Sequence, residues 1–269
     1  MDLASSLGRM SYWSVADHRC ILERAALSVW RVPLERDVAG AAAVVTEQKR
    51  ILAVADMIHP YIYRDTFPSG LEPLDLVLCA GDLPGYFIEF LATKVTCPVV
   101  WVPGNHGEEK VKDYLGNFTP PGGAINAHGK IVRAAGLTIV GWGGAPRYND
   151  ALEGQYTGFQ AGVALRRLEP SLWWQRLRTG RDVDIFLTHA PPPGPHAGTD
   201  HAHRPCKQIG AFMRRHNPPL LVHGHVHNYD GRRVEYVAEN GTRVVNAYGY
   251  VMLELPVAQT QAHSSQSRA

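Results

Sequence analysis

Five short polar clusters carry residue types that bind divalent cations. In chain order they are Asp56-Met57-Ile58-His59, Gly81-Asp82, Gly104-Asn105-His106, Thr188-His189 and Gly224-His225-Val226-His227. Carboxylate oxygen, amide oxygen and imidazole nitrogen are donors for hard and borderline metals such as Mn, Fe, Zn, Ni or Co. None of the clusters contains a cysteine, which argues against a structural zinc site built on thiolates. The chemistry these residues suit is the binding of divalent metal.

Taken singly, each cluster has an ordinary reading. An aspartate after a strand is commonly a turn or cap residue. A lone strand-end histidine such as His189 is commonly a hydrogen-bonded structural group, and Gly104-Asn105 suits a turn because both types tolerate unusual backbone angles. His225 and His227 say more, since residues i and i+2 on a strand face the same side. The weight rests on the series: five clusters, each directly after an apolar run.

Those runs are the elements that must position the clusters. Ile51–Ala55, Leu74–Ala80, Val99–Val102, Val183–Leu187 and Leu220–Val222 are apolar but for Asp75 and Asp184 near the start of their runs, as expected of strands covered on both faces. Helical spacing is predicted over Tyr86–Lys94, Leu168–Arg178 and Lys207–Arg215. Two hairpins are expected, Lys130–Arg133 with Leu137–Trp142 and Arg232–Val237 with Arg243–Ala247, turning at Gly136 and at Asn240-Gly241. An α/β domain with mixed sheets and outer helices follows. Open α/β sheets bind ligands at the carboxyl ends of their strands, so the five clusters can converge on one crevice.

Domain limits follow from composition. Residues 1–49 form an expected N-terminal extension packed on the main domain, with an amphipathic helix over Asp17–Val29 and an alanine-rich stretch over Val38–Val45. Residues 50–256 form the main domain, and the polar residues 257–269 are expected to be a disordered tail. With 269 residues the chain is long enough for one large domain with a full core. Its net charge of +2 gives no electrostatic case for nucleic acid, without excluding a local patch. No apolar stretch is long enough to span a membrane. The N-terminus lacks the pattern of a signal peptide, and Cys79 in its apolar run reads as a reduced, buried thiol, so a cytoplasmic protein is expected.

The series of clusters resembles the calcineurin-like metallophosphoesterase superfamily, whose blocks read D-x-H, G-D, G-N-H-[DE], a lone H and G-H-x-H. The resemblance spans roughly residues 50–255, and four of the five blocks keep their metal-ligand residues. It implies a four-layer α/β/β/α sandwich with two mixed β-sheets and a two-metal site at the strand ends. Carried over by position, Asp56 and His227 would hold the first metal, Asn105, His189 and His225 the second, and Asp82 would bridge them. His106 would be catalytic, close to the scissile bond. The activity implied is hydrolysis of a phosphomono- or phosphodiester by a hydroxide bridging two divalent ions, with His106 protonating the leaving group.

Two departures stand out. The first block places Ile58 where the family has histidine, with His59 one residue further on, and the third block has Gly107 where an acid usually follows the histidine. Pro60 makes a chain break near His59 plausible, so His59 either swings in as a replacement ligand or points away. Glu108 or Glu109 are candidates to replace the missing acid.

Other residues could shape the substrate pocket. Arg147, on the glycine-rich segment Gly143–Asn149, could fork onto a phosphate, although an arginine there is more commonly a surface residue. The loop Pro191–Pro205 carries His196, Asp200, His201 and His203 directly after His189, which marks it as a rim. His223 shares a strand face with His225 and His227 and reads as a buried supporting residue. Even charge favours a small phosphate-ester substrate. Two rival readings remain: a family member kept as a protein-interaction scaffold, and a metallo-β-lactamase-type hydrolase. The second is disfavoured because Asn228-Tyr229 follow His227 where that pattern continues with Asp-His.

Overall fold

The computed structural model describes residues 46–150, 153–180, 182–227 and 234–258. The predicted helix at Asp17–Val29 and the Val38–Val45 stretch lie outside these residues, as do residues 259–269 of the expected tail. Strand β1 (Thr46–Ala55) is followed by β2 (Leu76–Cys79), helix α1 (Gly85–Lys94), β3 (Val99–Trp101) and the short β4 (Val111–Lys112), β5 (Phe118–Thr119) and β6 (Ile125–Asn126). Next come β7 (Lys130–Ala134), β8 (Leu137–Trp142), β9 (Ala145–Pro146), β10 (Gln155–Tyr156) and helix α2 (Gly158–Thr179). The chain continues through β11 (Ile185–Thr188), α3 (Lys207–His216), β12 (Leu220–His223), β13 (Glu235–Val237), β14 (Arg243–Asn246) and β15 (Gly249–Ala258).

Two mixed sheets result. One has the order β15-β1-β2-β3-β6, the other β13-β14-β12-β11-β8-β7. Strands β1, β2, β3 and β6 run parallel with β15 antiparallel at the edge. Strands β8, β11, β12 and β14 run parallel, with β7 and β13 antiparallel at the two edges. Each edge hairpin has a tight turn of the expected kind: Ala135 and Gly136 both have positive φ, and Gly241 does so after Asn240.

Alternation along the strands makes three cores. Ile51, Leu78, Val100, Ile139, Leu187 and Val222 meet between the sheets. Their neighbours in sequence turn outward: Val54, Val77 and Trp101 pack with Phe87 and Leu91 of α1. On the other side Val140, Phe186 and Leu221 pack with Leu165 and Leu172 of α2 and with Phe212 of α3. Period-two alternation sends successive side chains to opposite faces, so each sheet is covered twice and the layers run α/β/β/α. Burying a Leu or Phe side chain fully contributes about 1.5–3 kcal/mol, and Phe186→Ala should cost about 3–5 kcal/mol.

Two of the longer elements differ from the sequence expectation. Helix α2 begins at Gly158 rather than Leu168, because Thr157 and Gln160 form a reciprocal capping box at its start. Pro170 sits inside this helix without ending it. Strand β15 had no predicted counterpart, and it pairs with β1 along its whole length, from Ala55↔Gly249 to Thr46↔Ala258. Pro256 is tolerated there because β15 is an edge strand.

Candidate metal centre

The parallel strands β1, β2 and β3 end on one edge of their sheet, and β11 and β12 end on the facing edge of the other. Contacts across the two sheets begin there. Nδ1 of His189 lies 2.8 Å from the Ala80 carbonyl. The main-chain N–H of His225 donates to both carboxylate oxygens of Asp56, at 2.9 and 3.0 Å. The Asp56 N–H donates to the Gly81 carbonyl at 3.1 Å. Asp56, Asp82 and His225 all have positive φ, 62°, 50° and 67°. Non-glycine residues adopt that region at a cost, and such strain collects where side chains must be aimed for function.

The motif glycines are explained by close approach. A Cβ on Gly104 would fall on the Asp82 carboxylate, and one on Gly81 would sit 2.5 Å from Nδ1 of His189. Substituting either residue would force these ligand-type side chains apart.

Asp82, His189 and His225 form a buried group whose donor atoms all lie within 4.8 Å of one another. Asp82 Oδ2 is 3.2 Å from His189 Nε2. Asn105 joins this group through Oδ1, 2.8 Å from the same Nε2. Carboxylate, two imidazoles and an amide oxygen, all on buried residues, fit a divalent cation. Asp56 and His227 lie alongside rather than within this tight group. The Asp56 carboxylate is turned onto the His225 amide, and the His227 ring lies 5.1 Å from that of Tyr248.

Electrostatics fit a cation site. Burial pushes the Asp56 carboxyl up to about 6, against the charge of His189. Burial also acts to raise Asp82, but hydrogen bonding and charge from His189 outweigh it and hold Asp82 at about 2. Burial acts to lower His189, yet Asp82, then Asp56, raise it to about 9. A cation binding at Nε2 must displace that proton, so metal and proton compete. Burial, and then the charge of His189, holds His225 down to about 3 and therefore neutral.

Surrounding groups select which imidazole nitrogen is offered. Nδ1–H of His189 donates to Ala80, leaving Nε2 towards Asp82 and Asn105. Nε2–H of His225 donates to the Ala202 carbonyl at 2.9 Å, leaving Nδ1 as the donor for a cation. Asn105 Nδ2 donates to the Tyr148 hydroxyl at 3.0 Å, which points its Oδ1 the other way. Ala202 and Tyr148 were not singled out from the sequence: main-chain carbonyls have no signature, and a tyrosine far along the chain shows no link to Asn105.

His106 lies at the opening, with its side chain 61 % exposed and Nε2 3.7 Å from Asp82 Oδ2. Its N–H donates to Asp82 Oδ1 at 3.0 Å. His59 turns the other way. Its Nδ1 accepts the Tyr61 N–H at 3.1 Å, and its ring packs edge-on to Tyr250 at 4.8 Å. Ile58 is drawn into the outer core under α1, which takes the family's second ligand position away from the site. Glu109 is buried and its Oε1 accepts the N–H groups of Asp82 and Gly104, while Glu108 is exposed.

In the rim loop, His203 receives a carboxylate partner, Asp200 Oδ1 at 2.9 Å from its Nδ1, and its ring lies 5.1 Å from that of His225. His196 Nδ1 lies 2.8 Å from His223 Nε2, which ties the loop to β12; both rings are buried, as expected for His223. His201 is exposed. Arg147 is half-buried, its N–H donating to the Tyr156 carbonyl at 3.0 Å.

Comparison with known proteins adds three findings. The family model described as Calcineurin-like phosphoesterase matches residues 49–229. No curated protein matches the sequence. Among solved structures, the chain is similar to GAP50, described as the anchor in the inner membrane complex of Plasmodium. Identity is 12%, the match covers 74% of this chain and 71% of that one, and the TM-score is 0.41.

Proposed function

Because the chain belongs to the Calcineurin-like phosphoesterase family, we propose that it is a metal-dependent hydrolase of a phosphomono- or phosphodiester. The observation that carries this reading is the buried convergence of Asp82, His189 and His225. Two divalent ions bound there, of the group Mn, Fe, Zn, Ni and Co, would supply Lewis acidity to a phosphoryl oxygen and lower the pKa of an attacking water. Asp82, with two carboxylate oxygens, would hold both ions; Asn105, His189 and His225 would hold one, and Asp56 with His227 the other. His106, exposed beside Asp82, gives its proton to the departing oxygen. Arg147 donates to a phosphoryl oxygen of a small, cytoplasmic substrate.

A metal-supplemented assay tests this. With Mn compared against Mg and Zn, the wild-type chain should hydrolyse p-nitrophenyl phosphate or its bis ester. Asp82→Ala should bind fewer than two ions per chain and lose at least about 10²-fold in kcat. No turnover by wild type under any metal, or near-normal turnover by Asp82→Ala, would sink the proposal. The scaffold reading draws on one observation, the half-buried side chain of Ile58 packed on the outer core where the family has a ligand. It expects a chain that turns over neither ester.

A further inference from the structure

We propose that Arg147 and Arg204 form an anion subsite beside the metal centre, so that the substrate carries a second phosphoryl group besides the one that is cleaved. This rests on the phosphoesterase reading above. Arg147 immediately precedes Tyr148, whose hydroxyl is bonded to Asn105 at 3.0 Å. Arg204 immediately follows His203, whose ring lies 5.1 Å from that of His225 and 6.2 Å from that of His227. The two segments meet directly, the Arg204 guanidinium donating to the Arg147 carbonyl. Two cationic residues therefore share one rim, one reached from the amide ligand and the other from the imidazole ligands.

The Arg204 guanidinium rests on a main-chain carbonyl, which offers a hydrogen bond but no counter-charge. The carboxylates close by are committed elsewhere. Asp200 holds His203 Nδ1 at 2.9 and 3.0 Å and accepts the N–H groups of Ala202 and His203. Glu153 pairs with Lys110. Among the described residues neither Arg147 nor Arg204 makes an ion pair, whereas Arg215 pairs with Glu169 and Arg243 with Glu235, both at 2.6 Å. Nε of Arg147 is also buried without a hydrogen-bond partner. A phosphoryl group supplies the missing counter-charge, and its oxygens accept several guanidinium N–H groups at once. The cleaved phosphoryl already has the metal centre and His106. A further pair of guanidiniums is matched by a further phosphoryl group, as in a nucleoside diphosphate or a bisphosphorylated small molecule.

Calorimetric binding to the full chain tests the subsite without requiring turnover. With Mn bound, wild type should bind methylenediphosphonate at least about tenfold more tightly than methylphosphonate. In Arg147→Gln/Arg204→Gln that advantage should shrink to about twofold or less. Should the double variant fail to fold, Arg204→Gln serves alone, because its exposed side chain reaches only a carbonyl, and it should lose about half of the advantage on a logarithmic scale. Equal affinity of wild type for the two probes, or an advantage kept by the variants, overturns the subsite. An arginine-dependent preference in a chain that hydrolyses no ester would leave the subsite standing and remove the phosphoesterase reading.

Discussion

Glu109 holds the main chain of Asp82: its Oε1 accepts the Asp82 N–H at 3.1 Å and, with the same atom, the Gly104 N–H at 2.5 Å. The two segments that bring Asp82 and Asn105 to the site are thus joined by one buried carboxylate. Burial raises the Glu109 carboxyl above its usual range, which the N–H groups partly oppose. Glu109→Ala would leave two buried donors unmet, at about 1–3 kcal/mol each. Urea unfolding should show a loss of about 2–6 kcal/mol for Ala and a much smaller one for Gln, which keeps an acceptor oxygen. Metal affinity should fall in parallel. A stability for Glu109→Ala within about 0.5 kcal/mol of wild type would refute the role.

His106 is exposed and reaches Asp82 only at 3.7 Å, so its loss should spare metal binding. His106→Ala should keep its metal content while kcat falls about 10²–10⁴-fold, the range of general acid–base help. The loss should be smaller for p-nitrophenyl phosphate, whose leaving group needs no proton. Metal lost in proportion to activity would make His106 a ligand instead.

His59 is held away from the site by the Tyr61 N–H on Nδ1 and by its packing on Tyr250. Metal titrations of wild type and His59→Ala should therefore superimpose. Stability should drop by about 1 kcal/mol from the lost turn bond and ring contact. Selective weakening of one metal site, rescued by added Mn, would show that His59 swings inward.

His128 gives a pH signature from a group outside the proposed ligand set. Burial, and then the charge of Lys130, holds its imidazole down to about 4. Nδ1 accepts the Gly143 N–H at 2.9 Å, so protonation there breaks a bond. In the unfolded chain the group titrates near about 6.5. Between these values the unfolded state binds more protons, so stability rises with pH. The contribution is complete above the unfolded value and is lost as pH falls towards the folded one. Between about pH 7.5 and 5, His128→Gln should lose about 2 kcal/mol less stability than wild type. Parallel losses in the two proteins would show that His128 is not the group responsible.

The sequence by itself determined the central strands, the presence of the outer helices and the residues at the strand ends. Ile51–Ala55, Val99–Val102 and Leu220–Val222 are apolar runs whose meaning is local, because a strand covered on both faces needs apolar side chains at every position. Tertiary structure decided what lay between distant positions. Strand β15 is defined by its pairing with β1, and its partner lies some 200 residues away in the chain, as the register Ala55↔Gly249 shows. Ile58 turns outward because the core under α1 draws in an apolar side chain, a direction that residue type alone does not carry. The Ala202 carbonyl on His225, the Tyr148 hydroxyl on Asn105 and the Arg204 guanidinium on the Arg147 carbonyl each join segments far apart in sequence. Periodicity records how a residue meets its neighbours along the chain. It carries no record of which distant carbonyl or hydroxyl will satisfy a buried donor, and the packing of the two sheets settles that.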